Sequence, residues 1–316
     1  MRPFLIVFLL GLVGAAMWLW LHKMTPPSVS ASSPSMPEVD TLSPSTERTA
    51  GPSSVANRGE GVSEKPLSKI AAKEEKHLSD YIALELAYAE FPGCVRVRHR
   101  YYVLCYDEHH EQARWTVHIL EGKRLSAGRV ARTQDFRPDP YVTTGSAQLE
   151  DYRRSGYDRG HLVPAGDFKW DSVGMSETFY LSNMSPQLHE FNAGIWEEVE
   201  STVRRWAREK KRLVVYTGPV LDKNKDAIGL NRVTVPTAFY KVVYWLEDEK
   251  APQAVAFLVP HAASRKSPVD FLVRVDSVEK ITGIDFYAAL PDSVEERIEG
   301  RWDRRFWQVS SARRHR

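Results

Sequence analysis

Between Met24 and about Gly61 the chain offers nothing from which a core can be built. Ser, Pro, Thr and other small residues dominate there, and apolar residues show no periodicity. Such a segment cannot bury enough surface to offset its chain entropy, so it reads as a disordered Ser/Pro-rich stalk. The boundaries that follow are residues 1–23, 24–64 and 65–316 of a 316-residue chain, the last being one folded domain. With 42% hydrophobic and 11% aromatic residues overall, the chain has the length and composition to bury a core of that size.

The stretch before the stalk is an unbroken apolar run of 18 positions, residues 4–21, preceded by Arg2, which is the minimum for a membrane-spanning helix. A cleaved signal peptide is the alternative. The run continues past Ala15-Ala16, and the next small-residue site, Val29-Ser30-Ala31, follows Lys23 and two prolines, which favours an uncleaved anchor. The expectation is therefore a domain held to a membrane through residues 4–21 and exported to the periplasmic or extracellular side, or secreted if the segment is cleaved.

Residues 95–104, 115–120, 213–217, 239–246 and 254–259 read as strands, and 193–208 and 268–282 as helices, the latter stopped by Gly283. Residues 65–91 are also helix-prone, with Ile82, Leu84, Leu86 and Tyr88 among the apolar positions. This order predicts an α+β fold with a mixed or antiparallel central sheet flanked by helices. No glycine-rich phosphate loop and no Cys/His zinc constellation is present, which argues against nucleotide-dependent and zinc-finger functions. The two cysteines, Cys94 and Cys105, face each other if residues His99 and Arg100 form a two-residue turn. That register permits a disulfide, but His-Arg is poor chemistry for such a turn, so two buried thiols stay open as the alternative.

Lys and Arg number 43 against 41 Asp and Glu, a formal charge of +2, so a polyanion-binding surface has to be local. Arg204, Arg205, Arg208, Lys210, Lys211 and Arg212 form one candidate, and residues 313–316 another, although charge runs are usually solvated faces.

The segment that carries chemistry is Tyr157-Asp158-Arg159-Gly160-His161-Leu162-Val163-Pro164-Ala165. It is followed by Tyr180-Leu181-Ser182-Asn183-Met184-Ser185-Pro186-Gln187 and by Phe191-Asn192-Ala193-Gly194-Ile195-Trp196-Glu197-Glu198-Val199-Glu200. These three blocks resemble the signature of the DNA/RNA non-specific endonuclease family, whose hallmark is Asp-Arg-Gly-His with a metal-binding Asn about thirty residues on. The similarity extends over about residues 128–292, taking in Tyr216-Thr217-Gly218-Pro219 and Phe239-Tyr240-Lys241-Val242-Val243. It implies a ββα-metal motif, a magnesium ion with manganese as substitute, little base reading on DNA or RNA, and a homodimer as an open state.

The residue types fit that chemistry independently. Phosphodiester hydrolysis requires an activated water, charge neutralisation and help for the leaving oxygen. An imidazole such as His161 titrates near neutrality and can take the proton of water, whereas a lone histidine is otherwise a structural side chain. Asn192 offers a hard oxygen to magnesium without adding charge, or else caps a helix beginning at Ala193. Asn192, Trp196, Glu200 and Arg204 are spaced by four and predict one helix stripe, with Ile195, Val199, Val203 and Trp206 the apolar one.

By resemblance Glu200 orients the water shell of the metal, with Asp158 a supporting acid; an ordinary i,i+4 pair of Glu200 with Arg204 is the alternative. Arg159 would meet the phosphate with its planar fork, and Arg204 is a further substrate-side cation. The resemblance places Asn183 among the residues that hold the site and its substrate. The family's upstream arginine falls on Gln134 here, with Arg132 and Arg137 on either side as candidates, and Phe179 stands where some relatives have Asn. A nucleic-acid-binding or uptake protein that kept the fold and lost turnover is the competing function, and it would have no use for a poised base.

Overall fold

The computed structural model describes residues 87–222, 226–248, 251–290 and 292–307. The apolar run at 4–21, the stalk, most of the helix expected over 65–91 and the basic tail at 313–316 lie outside them. Strands β1 (Val95–Arg98), β2 (Tyr102–Asp107) and β3 (Gln112–Glu121) come first. Short helices α1 (Gly122–Ala127) and α2 (Leu149–Tyr152) precede β4 (Asp158–His161). Helix α3 (Ser172–Glu177) and β5 (Met184–Gln187) lead into the long helix α4 (Glu197–Lys210). The remainder is β6 (Arg212–Val220), β7 (Ala227–Ile228), β8 (Val233–Thr234), β9 (Ala238–Trp245), β10 (Gln253–Pro260) and β11 (Leu272–Val273), then α5 (Val275–Thr282) and α6 (Asp292–Glu299).

Seven strands make one antiparallel sheet in the order β1-β2-β3-β6-β9-β10-β11, while β4 pairs with β5 and β7 with β8. The α+β architecture expected from the sequence is present. All five strand-like runs lie in the large sheet, with 95–104 divided between β1 and β2. Alternate residues of the central strands point to opposite faces. Leu213, Val215, Phe239, Val243, Val255 and Phe257 pack with Val199, Val203, Trp206 and Ala207 of α4. Val214, Tyr216, Tyr240, Val242, Tyr244 and Ala256 pack on the other side with Val275 and Val278 of α5, Ile298 of α6, and Phe286. Both faces are covered, which is why these strands read as nearly continuous apolar runs rather than as clean alternation.

Three local expectations need correcting. The β1–β2 loop is Arg100-Tyr101, closed by a His99 N–H to Tyr102 carbonyl bond of 2.9 Å, one residue later than the His99-Arg100 turn. Cys105 therefore opposes Arg96. A disulfide nevertheless joins Cys94 to Cys105, with Cα atoms 5.4 Å apart. Helix 268–282 is interrupted: Ser267 and Asp270 form a capping box that supports only the 3₁₀ turn Pro268–Phe271, and β11 then pairs with β10 before α5 begins. Gly283 closes α5 in the left-handed region (φ 69°), as a helix stop should. The described end of the expected 65–91 helix is not helical, because Glu90 pairs instead with Asp285 in an isolated bridge.

Trp206 is the anchor between α4 and the sheet, stacked on Phe257 at 5.4 Å and tilted against Trp307 at 4.8 Å between centroids. Trp206→Ala leaves a cavity at a fully buried position, and a loss of about 3–5 kcal/mol in urea-unfolding free energy is expected.

Candidate active site

The site is a strand pair followed by a helix. In the β4–β5 pair Arg159 opposes Pro186, Gly160 opposes Ser185 and His161 opposes Met184. Gly160 is required by close approach, since a Cβ there would stand 2.0 Å from the Gln187 side chain. Asn183, fully buried, pins the chain beyond His161: its Oδ1 accepts from the Val163 N–H at 2.9 Å and its Nδ2 donates to the Val163 and Thr178 carbonyls at 3.0 and 2.9 Å. All these side-chain groups are used by the backbone.

The expected helix stripe from Asn192 to Arg204 is broken. Gly194 leaves helical dihedrals (φ −111°, ψ −113°) inside the wide turn Phe191–Trp196, and regular helix starts only at Glu197. Asn192 is therefore not the cap of a helix beginning at Ala193. Its Nδ2 donates to Asp158 Oδ2 at 3.0 Å, which leaves its amide oxygen as the free end. His189 Nδ1 meets the same Asp158 oxygen at 2.9 Å, so Asp158 is engaged by both Asn192 and His189.

His161, Asn192, Glu200, Arg132, Arg159 and Arg204 line one cleft of about 480 Å³. His161 is 8% exposed and packs edge-on against Phe179, ring centroids 4.8 Å apart. Phe179 is itself fully buried and forms a wall of the histidine. Burial, and then the Arg132 charge, push the imidazole down to about 3, and its Nε2 has no hydrogen-bond partner. The ring is neutral across the physiological range, with Nε2 unengaged.

The arginines divide. Arg159 is exposed, lies over the Phe136 ring at 4.3 Å and makes no ion pair among the described residues. Arg132 is likewise exposed and lies over Phe179 at 5.2 Å. Arg137, one of the two candidates for the upstream arginine, is instead consumed by Asp135 at 2.8 Å and by Ser176 at 3.0–3.1 Å, and it stacks on Tyr180. Arg204 bridges Asp167 at 3.1 Å and Glu200 at 3.5 Å, with 15% of its side chain exposed. The rest of the basic run splits as well: Arg208 lines the cleft, Lys210 donates to the Phe306 carbonyl at 2.7 Å, and Arg212 pairs with Glu247.

Burial raises the Glu200 carboxyl, opposed by Lys241 and Arg204. Sequence reasoning missed His189, Asp167, His118 and Lys241. Lys241 carried the readable signal, a lone lysine inside an apolar strand run.

The donor set suits a hard divalent cation that keeps most of its waters: one neutral amide oxygen at Asn192, with Glu200 in the same cleft and no thiol. Among the described residues the three-carboxylate clusters, Asp276-Glu279-Glu299 and Glu279-Asp285-Glu295, involve α5 and α6 and not the cleft.

The family described as DNA/RNA non-specific endonuclease matches residues 83–293. Human endonuclease G, mitochondrial, is 35% identical over 216 residues, covering 64% of this chain and 73% of the relative. Nuclease C1 of Cunninghamella echinulata is 35% identical over 216 residues, 63% and 86% respectively. Nuclease EXOG, mitochondrial, of Danio rerio is 37% identical over 204 residues, 60% of each chain. A chain in a crystal structure of the EndoG/EndoGI complex superposes with a TM-score of 0.60 at 32% identity, covering 66% of this chain and 91% of that one.

With the strand pair, the kinked helix and the buried histidine in place, this chain belongs to the DNA/RNA non-specific endonuclease family. It is a nuclease, a phosphodiester hydrolase acting on nucleic acid, of a metal-dependent family.

The placement expected from the sequence is overturned. The endonuclease G and EXOG relatives are named as mitochondrial nucleases, not exported membrane-anchored ones, and no helix among the described residues is long and apolar enough to cross a membrane.

Because folding depresses the His161 pKa, the fold favours its neutral form. That contribution to stability is full above pH 6.5 and is lost as the pH falls from 6.5 toward about 3. In the metal-free protein the His161 ring carbon and proton shifts should stay constant from pH 8 to 5. A midpoint near 6.5 would show the ring to be solvated.

Proposed function

We propose that this chain cuts DNA and RNA internally with little sequence preference, His161 activating the attacking water and a magnesium ion held on Asn192. The observation that carries the reading is the buried His161 Nε2, neutral and without a partner, in a cleft that also holds Asn192, Glu200 and three exposed arginines, Arg132, Arg159 and Arg208. A binding protein has no use for such an acceptor.

His161 takes the proton of a water placed beside the scissile phosphate. Arg159 and Arg132 meet non-bridging phosphate oxygens; their stacking on Phe136 and Phe179 holds the planar forks in place while leaving the N–H groups free. Asp158 fixes the Asn192 amide by accepting from its Nδ2, so that the oxygen is the end left for the cation. Manganese meets the same donor requirement. What a magnesium ion supplies there is charge neutralisation at the phosphate and at the leaving 3′-oxygen. Glu200 accepts hydrogen bonds from water held near Asn192. All of these contacts are to backbone phosphate and none reads a base edge, which accounts for the lack of sequence preference.

The test uses the full chain, supercoiled plasmid and structured RNA, magnesium, and EDTA. Cutting of both polymers should require the metal, and His161→Ala should lower kcat by about 10²–10⁴. Folded protein that binds both polymers and cuts neither would overturn the reading, as would an unimpaired His161→Ala.

The two upstream arginines separate in the same assay. Arg132→Ala should weaken binding uniformly across sequences and reduce the slope of log K against log salt by about 1. Arg137→Ala should lower thermal stability through its lost bonds to Asp135 and Ser176 while retaining that slope.

A further inference from the structure

Beneath the cleft the sheet carries charges that the reaction as described does not use. Lys241 sits in the middle of β9, 1% exposed, on the same face as Phe239 and Val243. Its Nζ donates to Thr217 Oγ1 on β6 at 2.6 Å and lies 5.1 Å from the centre of the Trp196 ring at the foot of α4. One strand pair away, His118 of β3, fully buried, holds Asp167 Oδ2 through Nε2 at 3.0 Å. Asp167, 4% exposed, gives its other oxygen to Arg204 at 3.1 Å, and Arg204 reaches on to Glu200. A lysine is almost never fully buried without a charge to answer, and Lys241 makes no ion pair within 4 Å among the described residues. Burial lowers its pKa, opposed by the Glu200 and then the Asp167 carboxylates, with Arg204 adding to the lowering.

We propose that Lys241 is a positioning residue for the reaction, the buried counter-charge that completes a two-cation, two-carboxylate cluster with Arg204, Asp167 and Glu200 and so holds Glu200 as an oriented anion at the cleft. The charge count supports it. Arg204 alone has to serve two carboxylates, and the nearer of them is Asp167. Without a second cation the carboxylate left over is Glu200, in a site where burial already favours its neutral form. His118 stays neutral: burial lowers it, its Nε2–H serves Asp167, and it adds no cation to the count. A neutral Glu200 would present a hydroxyl where water needs an acceptor.

The arrangement is local and rigid. Thr217 and Trp196 fix the ammonium between strand and helix, so its field on Glu200 does not depend on a mobile surface chain. The titratable and charged groups facing Glu200 are Lys241 from β9, Asp167 from the turn Ala165–Phe168 and Arg204 from its own helix. Arg159, Lys169, Glu197, Arg208 and His161 line the same cleft.

The inference rests on the reading of Glu200 as the water-holding acceptor, and the experiment keeps the two apart. In the metal-free full chain, the Glu200 side-chain carboxyl is followed by ¹³C NMR between pH 4 and 9 in wild type, Lys241→Met, Lys241→Arg and Thr217→Val. The pH dependence of kcat/KM is measured on the same proteins with magnesium, with Glu200→Gln as reference. Lys241→Met should raise the Glu200 midpoint by about one pH unit or more and move the acid limb of kcat/KM upward with it, with KM little changed. Lys241→Arg should restore both, and Thr217→Val should shift both in the same direction by less. An unchanged Glu200 midpoint in Lys241→Met overturns the proposal even if activity falls. Should Lys241→Met fail to fold, the Thr217→Val titration decides in its place, a wild-type midpoint there overturning the proposal. An active Glu200→Gln, by contrast, sinks the role of Glu200 itself, whatever the NMR midpoints do.

Discussion

Helix α4 has to bury one stripe against an apolar sheet while carrying a carboxylate and a guanidinium at the edge of that stripe, and the rest of the site follows from this. Val199, Val203, Trp206 and Ala207 fix the helix on the sheet face. Glu200 and Arg204 then project where water is scarce, with 13% and 15% of their side chains exposed. Charges there persist only if paired, because desolvation exceeds what one surface-type ion pair returns. The fold answers from the sheet below and from the turn after β4, with Lys241 and Asp167, and the result is a polar seam through an otherwise apolar layer.

The same apolar layer accounts for the histidine. Phe136 and Phe179 wall His161 closely. A polar neighbour would offer the ring a hydrogen bond; the aromatic one withholds it and disfavours the imidazolium. The strand pair contributes in another way. Asn183 spends every polar atom on backbone, so the chain after His161 cannot drift, and the ring's direction is fixed without any contact to the ring itself.

Much of this was legible in the sequence, for identifiable reasons. The strand runs were readable because a sheet covered on both faces needs long apolar stretches, and the Asp-Arg-Gly-His block through its resemblance to the family signature, in which Gly160 turns out to let β4 lie against Gln187. The apolar stripe Ile195, Val199, Val203 and Trp206 was readable from its spacing; all four are buried, the last three on α4 and Ile195 in the turn before it. What spacing could not show was Gly194, which turns a nominal four-residue repeat into a turn plus a helix and gives Asn192 to Asp158 instead of to a helix cap. Nor could it tell Arg132 from Arg137, since the difference lies in Ser176, 39 residues further on, occupying one of them. Lys241 and Asp167 were out of reach for the same reason: each matters through partners on other elements.

On the reading proposed above, the opposition between Arg132 and His161 in the cleft sets how the two can work together. The arginine's charge is one of the two causes that depress the imidazole, so the free protein holds a base that is available but weak. A phosphate paired with Arg132 brings a compensating negative charge close to the ring and cancels that part of the depression, leaving burial as the remaining cause. On that reading, base strength is highest when the anion to be attacked is bound and lowest when it is absent. A solvated histidine, with its charge screened by water, would lack that dependence on substrate, which is what the apolar wall of Phe136 and Phe179 contributes to the chemistry.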